Sequence, residues 1–194
     1  MNKCVIPLLS SFFFCSSGFF ITVSADSMLK VSEYCVKSKK PFALNLSAPF
    51  IPQFFSEPLL KVLANSALLF GNETEAEAIS EQQGWATKDI KTIAQKLAAI
   101  PFNGEGSRTV VITQGSLPVV VVENGATTEF PVEKLTAEQI VDTNGAGDAF
   151  VGGYLAQLVL GKDLATRVRC GIWAGTTIIQ QSGCTVPAGK CTFQ

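Results

Sequence analysis

Histidine is absent from the 194-residue chain. Ser-His-Asp and Cys-His catalysis, and His-ligated metal sites, are therefore excluded within it. G-x-S-x-G is missing, and with it the α/β-hydrolase nucleophile elbow. Neither G-x-x-x-x-G-K-[ST] nor the protein-kinase signature set occurs, which excludes a P-loop or protein-kinase site. Basic residues are not in excess: Lys+Arg 15 against Asp+Glu 16 gives a net charge of −1. Nothing here attracts nucleic acid, and no basic block marks a membrane-surface segment. Charged residues make up only 16% against 47% hydrophobic, so the chain can bury one sizeable core rather than stay disordered. No C-x-x-C pair occurs among Cys4, Cys15, Cys35, Cys170, Cys184 and Cys191. At this length they read as reduced, mostly buried thiols, not as a disulfide framework. No repeat, low-complexity linker or domain boundary is visible.

What is present is an alternation of apolar strands and helical patterns. Asp26 or Ser27 can cap a helix carrying Met28, Leu29, Val31 and Tyr34. Residues 42–46 form a short strand, residues 59–63 a short helix, and residues 66–70 a strand ending at Gly71. Asn72 caps a Glu- and Ala-rich helix, and Thr87 one with Ile90, Ile93, Ala94 and Leu97 on a face. Residues 108–113 are a β-branched strand. Glu123-Asn124-Gly125 sits between two strands as a hairpin signal. A helix over about 164–181 is apolar nearly all round and should be well buried. Such alternation predicts a parallel sheet covered on both faces.

The most informative stretch is Asp142-Thr143-Asn144-Gly145-Ala146-Gly147-Asp148-Ala149-Phe150. Two glycines and an alanine leave the backbone N–H groups little shielded. Val151, Tyr154, Leu155, Leu158 and Val159 follow at helical spacing. A small-residue turn thus opens into a helix N-terminus, where free N–H groups and the helix dipole favour an anion. Asp148 lies in the same first turn, where the dipole favours its carboxylate form, able to accept a proton. An anion site beside a carboxylate base suits phosphoryl transfer to a hydroxyl. The plainer alternative is a Gly-rich turn with a helix-capping acid.

This string resembles the C-terminal signature of the ribokinase-like (PfkB-type) carbohydrate kinases. The likeness extends through GFFITVS, NLSAPF, LFGNETEA, VVITQG and GCT, and is strongest to the family's adenosine-phosphorylating branch. It implies a three-layer α/β/α sandwich with a mostly parallel sheet, lacking the family's N-terminal part and lid. It divides the chain into an unmatched segment 1–17 and a kinase portion 18–194. The implied reaction is ATP-dependent phosphorylation of the adenosine 5′-hydroxyl to AMP, in purine salvage. The alternatives are a sugar kinase of the same superfamily and a non-catalytic fragment, and the isolated chain is expected to be inactive. By the same resemblance Asp148 is the base, and Gly145, Ala146 and Gly147 form the anion hole. Thr113, Gly115 and Asn144 contact ATP, while Asn72 and Glu75 organise Mg²⁺ through water. Ile172 and Trp173 border the adenine of ATP. For Asn72 and Glu75 the rival reading is a capping Asn with first-turn acids. Asp142 either holds the loop or joins the family's monovalent-cation site. Cys184 reads as a packed thiol. The partners implied are adenosine and ATP, with no nucleic acid or membrane, and the family expectation is a monomer.

Lys3, a Phe-rich run and Val23-Ser24-Ala25 resemble a secretory signal with cleavage after Ala25. Its rival is a buried strand over residues 19–23. The strand is preferred because the kinase resemblance begins inside the supposed signal. A cytoplasmic or nuclear protein follows from that preference.

Overall fold

The structure is a computed structural model that describes residues 12–185 and residue 193. The expectations for residues 1–11, Cys4 and Cys191 lie outside the described residues. Contacts divide the chain into two units: one up to Ile112 with Val120–Thr128, and one of Thr113–Val119 with the chain from Glu129 onward. All three divisions fall inside strands, with no linker between. A boundary of this kind leaves no compositional mark.

The first unit contains β1 (Phe14–Ser17), α1 (Phe20–Lys37), β2 (Phe42–Asn45), α2 (Phe50–Phe54), α3 (Ser56–Leu63), β3 (Leu68–Asn72), α4 (Glu73–Gln82) and α5 (Ile90–Ala99). β4 (Thr109–Gln114), β5 (Leu117–Glu123) and β6 (Ala126–Phe130) complete a six-stranded sheet in the order β1-β2-β3-β4-β5-β6. β1 pairs with β2, and β2 with β3, in parallel register, for example Leu44 opposite Leu69. The Thr109 N–H donates to the Ala67 carbonyl (2.9 Å), so β3 and β4 also begin at one edge. Two-residue links then turn β4 into β5 and β5 into β6 as antiparallel hairpins, giving a mixed, mostly parallel sheet. Successive residues of a strand face opposite sides. Phe42, Ala43 and Leu44 are all buried, as are Leu68, Leu69 and Phe70. Both faces of these strands are therefore covered, as the α/β reading requires. Leu44, Leu46, Ile51, Leu63, Ile79, Ile93 and Val110 belong to one core cluster.

The expected strand over residues 19–23 is instead a turn and the first turn of α1, and the edge strand lies earlier, at β1. Only Ile21 of that run is buried. Phe19, Phe20 and Val23 are exposed. Burying Ile21, Met28 and Cys35 on one side of α1 gains about 1.5–3 kcal/mol for a large apolar side chain. Strand preference is worth at most about 1 kcal/mol. α1 kinks at Ser24 (φ −158°, ψ 83°). There Ser24 Oγ accepts from the Ser27 N–H (3.4 Å), so Ser24 caps the second segment, not Asp26 or Ser27. Likewise α5 is capped by Asp89, whose Oδ2 accepts from the Thr92 N–H (2.9 Å). Thr87 supports that cap by accepting from the Asp89 N–H (3.2 Å).

Arg108 is almost fully buried, and all five of its N–H groups meet carbonyl oxygens. Nε reaches Ser66 (3.0 Å), Nη1 reaches Leu97 (2.9 Å) and Ile100 (2.8 Å), and Nη2 reaches Leu63 (2.7 Å) and Pro101 (3.2 Å). Burial pushes its pKa down to about 10, which leaves it protonated at neutral pH. It gathers the ends of α3 and α5 and the entry to β3 around one cation.

The second unit carries a 3₁₀ turn (Ala137–Gln139) and two helices, α6 (Ala146–Val159) and α7 (Leu164–Ile178). The helices approach closely at glycine. A Cβ on Gly153 would lie 2.6 Å from the Cys170 carbonyl, and one on Gly171 2.9 Å from the Phe150 ring. α7 is less buried than its composition predicts: Val168, Cys170 and Gly171 are its buried residues. Asp163 caps it by accepting from the Thr166 N–H (2.7 Å). Among the described residues, no helix is long and apolar enough to cross a membrane. Of the described cysteines, Cys35 and Cys170 are buried and Cys15 and Cys184 exposed, and none of the four is in a disulfide.

Candidate active site

The signature loop enters along an extended stretch. The N–H groups of Val141 and Asp142 both donate to the Ile179 carbonyl (2.9 and 3.1 Å). Asp142 then accepts twice, from the Asn144 N–H at Oδ1 (2.9 Å) and from the Gly183 N–H at Oδ2 (3.2 Å). These bonds match the loop-holding alternative for Asp142. Gly145 caps α6 with φ +76°. A Cβ there would be strained and would lie 2.6 Å from Cys184 Sγ. The Ala149 N–H makes the first i→i−4 bond, to the Gly145 carbonyl (2.9 Å). The N–H groups of Gly147 and Asp148 precede that bond and remain at the open end of the helix. Asp148 is exposed in this first turn.

A cavity of about 290 Å³ lies beside this turn, within the second unit. Ala146, Gly147 and Thr143 form one side of it, and Thr113, Gly115 and Ser116, at the end of β4, another. Its other walls are largely apolar, including Val132, Leu135, Ile140, Phe150, Ile172 and Ile179. Gly115 has φ +56°, so the turn into β5 explains the glycine without a ligand. Thr113, Gly115, Ala146 and Gly147 are thus brought together, as is Ile172. Asn144, Gly145 and Asp148 adjoin them along the chain but do not line the cavity, nor does Trp173, which packs near Phe193 (6.0 Å). The wall at Val132, Leu135 and Ile140 escaped the sequence reading. Its readable signal was Thr136-x-x-Gln139, a capping box realised here with the Thr136 N–H on Gln139 Oε1 (2.9 Å).

Asn72 and Glu75 belong to the first unit, at the junction of β3 and α4. Asn72 Oδ1 accepts from the Glu75 N–H (2.9 Å) and the Thr74 hydroxyl (2.7 Å). Glu75 Oε2 accepts from the Asn72 N–H and Oε1 from Asn72 Nδ2, both at 3.0 Å. The capping reading is therefore realised in full. Unlike an ordinary first-turn acid, Glu75 is buried, with 5% of its surface exposed. Among the described residues no group of three or more His, Cys, Asp or Glu is placed to hold a metal. The donor set fits an ion that keeps its waters, as Mg²⁺ does, and not one stripped to protein ligands.

A second feature of the first unit was missed. Phe19 and Phe50, both partly exposed, meet edge to face with centroids 5.7 Å apart. They follow the C-terminal ends of β1 and β2, where open α/β sheets bind ligands. Beside them the Ser17 and Ser47 hydroxyls share a hydrogen bond (2.8 Å), and Ser47 holds φ +69°. An aromatic pair next to hydroxyl groups suits a planar, polar-edged ligand.

A strand-end cavity, an open helix N-terminus and an exposed carboxylate thus stand together in the second unit of this α/β chain. Residues 7–191 match the family described as pfkB family carbohydrate kinase. The chain belongs to that family. It is 49% identical over 176 residues to Adenosine kinase 1 of Arabidopsis thaliana, covering 90% of this chain and 51% of that one. It is 40% identical over 178 residues to Adenosine kinase of Saccharomyces cerevisiae, covering 91% and 52%. Among solved structures, Anopheles gambiae adenosine kinase in complex with P1,P4-di(adenosine-5) tetraphosphate matches with a TM-score of 0.91 at 47% identity, over 95% of this chain and 55% of that one. The chain spans about half the length of the curated relatives it matches.

Proposed function

We propose that this protein transfers the γ-phosphoryl group of ATP to the 5′-hydroxyl of adenosine. The observation that carries the reading is the largely apolar cavity whose wall includes the open first turn of α6. Apolar walls take a base, and the N–H groups at the turn take phosphate oxygens. In this reading the N–H groups of Gly145 and Gly147 hold the charge that develops on the transferred group, while the Ala146 N–H, which donates to the Thr143 carbonyl (3.3 Å), shapes the turn. Thr113 and Gly115 border the phosphates, and Asn144 shapes the loop that meets them. Asp148 accepts the acceptor's hydroxyl proton as the new P–O bond forms, and ADP leaves with the electron pair of the broken bond. Within the first unit, the exposed pair Phe19 and Phe50 suits a planar base. Asn72 and Glu75 hold the waters of Mg²⁺, which when bound neutralises phosphate charge.

The two relatives named above are adenosine kinases, which supports adenosine over a free sugar as acceptor. A coupled assay of ADP release with adenosine, with ribose and with neither separates the readings. The isolated chain is expected to release none; joined to the half of its relatives that it does not match, it is expected to release ADP with adenosine. In that joined protein, release with ribose alone assigns a sugar kinase, and no release with either acceptor rejects the transfer. The proposed location is the cytosol or nucleus, because the supposed cleavage point after Ala25 lies inside α1, which carries buried Ile21 and Met28.

A further inference from the structure

Gly183-Cys184-Thr185 has no part in the chemistry above, yet it touches the signature loop twice. The first contact is polar: the Gly183 N–H donates to Asp142 Oδ2 (3.2 Å), while Oδ1 of the same carboxylate takes the Asn144 N–H (2.9 Å). One side chain thus ties the start of the loop to a turn 41 residues away. The second contact is steric. Cys184 Sγ stands 2.6 Å from the point a Cβ on Gly145 would occupy, with Cys184 Cβ at 3.5 Å. Gly145 is the residue whose φ of +76° sets the direction in which α6 begins. The turn is itself held, since the Thr185 hydroxyl donates to the Ser182 carbonyl (3.0 Å). The chain leading to it is held by the Ile179 carbonyl, which accepts from Val141 and Asp142.

We infer that the Gly183–Cys184 turn is a positioning element for the anion-binding loop, with Cys184 as the positioning residue behind Gly145. The inference rests on the proposed phosphoryl transfer only for its effect on turnover. Its structural content stands apart: a larger group on Cys184 pushes Gly145 and loosens the Asn144 amide from Asp142. An anion hole gains from being preorganised, and a displacement of about 1 Å costs on the order of 10²-fold in rate. In the proposed reading the acceptor is not held by this turn, so the loss is expected on turnover and not on the KM for adenosine.

The test uses the full chain and methyl methanethiosulfonate. This reagent puts a methylthio group on the thiolate through a new S–S bond and releases methanesulfinate. Cys184 is exposed and within its reach, as is Cys15, so Cys184→Ser treated identically is the comparison. Mass spectrometry confirms the site of modification. Two readouts follow: hydrogen exchange of the amides of residues 142–148, and ADP release with adenosine. Modified wild type is expected to exchange at Asn144 faster by about tenfold or more. Its turnover should fall on the order of 10²-fold at an unchanged KM for adenosine. Treated Cys184→Ser should keep the exchange rate of its untreated form. Complete modification at Cys184 with unchanged exchange overturns the inference, and so does an equal response in Cys184→Ser. If the untreated chain releases no ADP, as is expected of it in isolation, the exchange comparison still decides this inference.

Discussion

Replacing Arg108 with methionine removes the cation around which three segment ends are gathered. The side chain has 1% of its surface exposed and donates five hydrogen bonds to carbonyls. The Leu63 and Leu97 carbonyls keep backbone partners, the N–H groups of Ser66 (2.9 Å) and Ile100 (3.4 Å). The carbonyls of Ser66, Ile100 and Pro101 lose the donor that reaches them. Stranding a buried polar group costs about 1–3 kcal/mol, and the buried Ser66 carbonyl bears that in full. Ile100 is half-buried and Pro101 exposed, so their carbonyls can turn to water. Relief from burying a charge offsets the loss of the charge-assisted bonds at those two. Methionine also retains much of the apolar contact. A net loss of about 1–3 kcal/mol is expected, out of a total stability of about 5–15 kcal/mol. At about 2–4 °C per kcal/mol for a chain of this size, Tm falls by about 2–12 °C. Thermal melts followed by far-UV circular dichroism measure it. Lys61→Met, which breaks the exposed Lys61–Glu57 pair (2.8 Å), serves as control and moves Tm far less. A Tm for Arg108→Met within about 2 °C of wild type would show that the guanidinium's desolvation cancels its bonds, and would refute the reasoning.

Glu75→Gln keeps the side-chain shape but offers one acceptor where Glu75 uses two toward Asn72. Both a lower Tm and a higher Mg²⁺ requirement for ADP release are expected. A lower Tm with an unchanged Mg²⁺ titration leaves Glu75 as a helix cap alone. Asp163 is held below its ordinary pKa of 3.8 by the backbone and side chain of Thr166. A carboxylate whose folded pKa is depressed adds stability above its unfolded pKa and loses it as pH falls through the folded value. The Tm gap between wild type and Asp163→Ala should therefore be full at neutral pH and close below 3.8; a gap that persists in acid contradicts this. In eukaryotic cells the chain should keep residues 1–25, and N-terminal sequencing of secreted material that starts at Asp26 would overturn the proposed location.

Much of the first unit was legible because its signals are local. Asn124-Gly125 marks a hairpin, Asn72 a cap, and the unbroken apolar runs of β2 and β3 a doubly covered sheet. The failures came where tertiary packing overrode a local pattern. Phe19 to Val23 reads as a strand by side-chain type, yet the spacing of Ile21, Met28 and Cys35 makes it helical, and two exposed rings are left at the strand ends. Thr87 and Asp89 both qualify as caps, and only geometry chooses Asp89. Arg108 reads as a strand-edge cation, since nothing nearby in sequence reveals that its five acceptors come from residues 63–66 and 97–101. In the second unit the loop from Asp142 to Asp148 declared itself through its glycines. Its supports at Ile179, Gly183 and Cys184 did not, because contacts of about 40 residues' separation leave no periodicity. The cavity wall at Val132, Leu135 and Ile140 was hidden in the same way.

The most direct measurement is the turnover of Asp148→Asn with adenosine and ATP, in a protein that joins this chain to the half of its relatives it does not match, taken together with ATP affinity from equilibrium dialysis. Asparagine keeps the shape of the exposed side chain at the open end of α6 and removes its capacity to take a proton. Turnover is predicted to fall by roughly 10²–10⁴, with the Kd for ATP changed by less than about threefold. Turnover near that of wild type, in a variant that binds ATP normally, would contradict the assignment of Asp148 as the base.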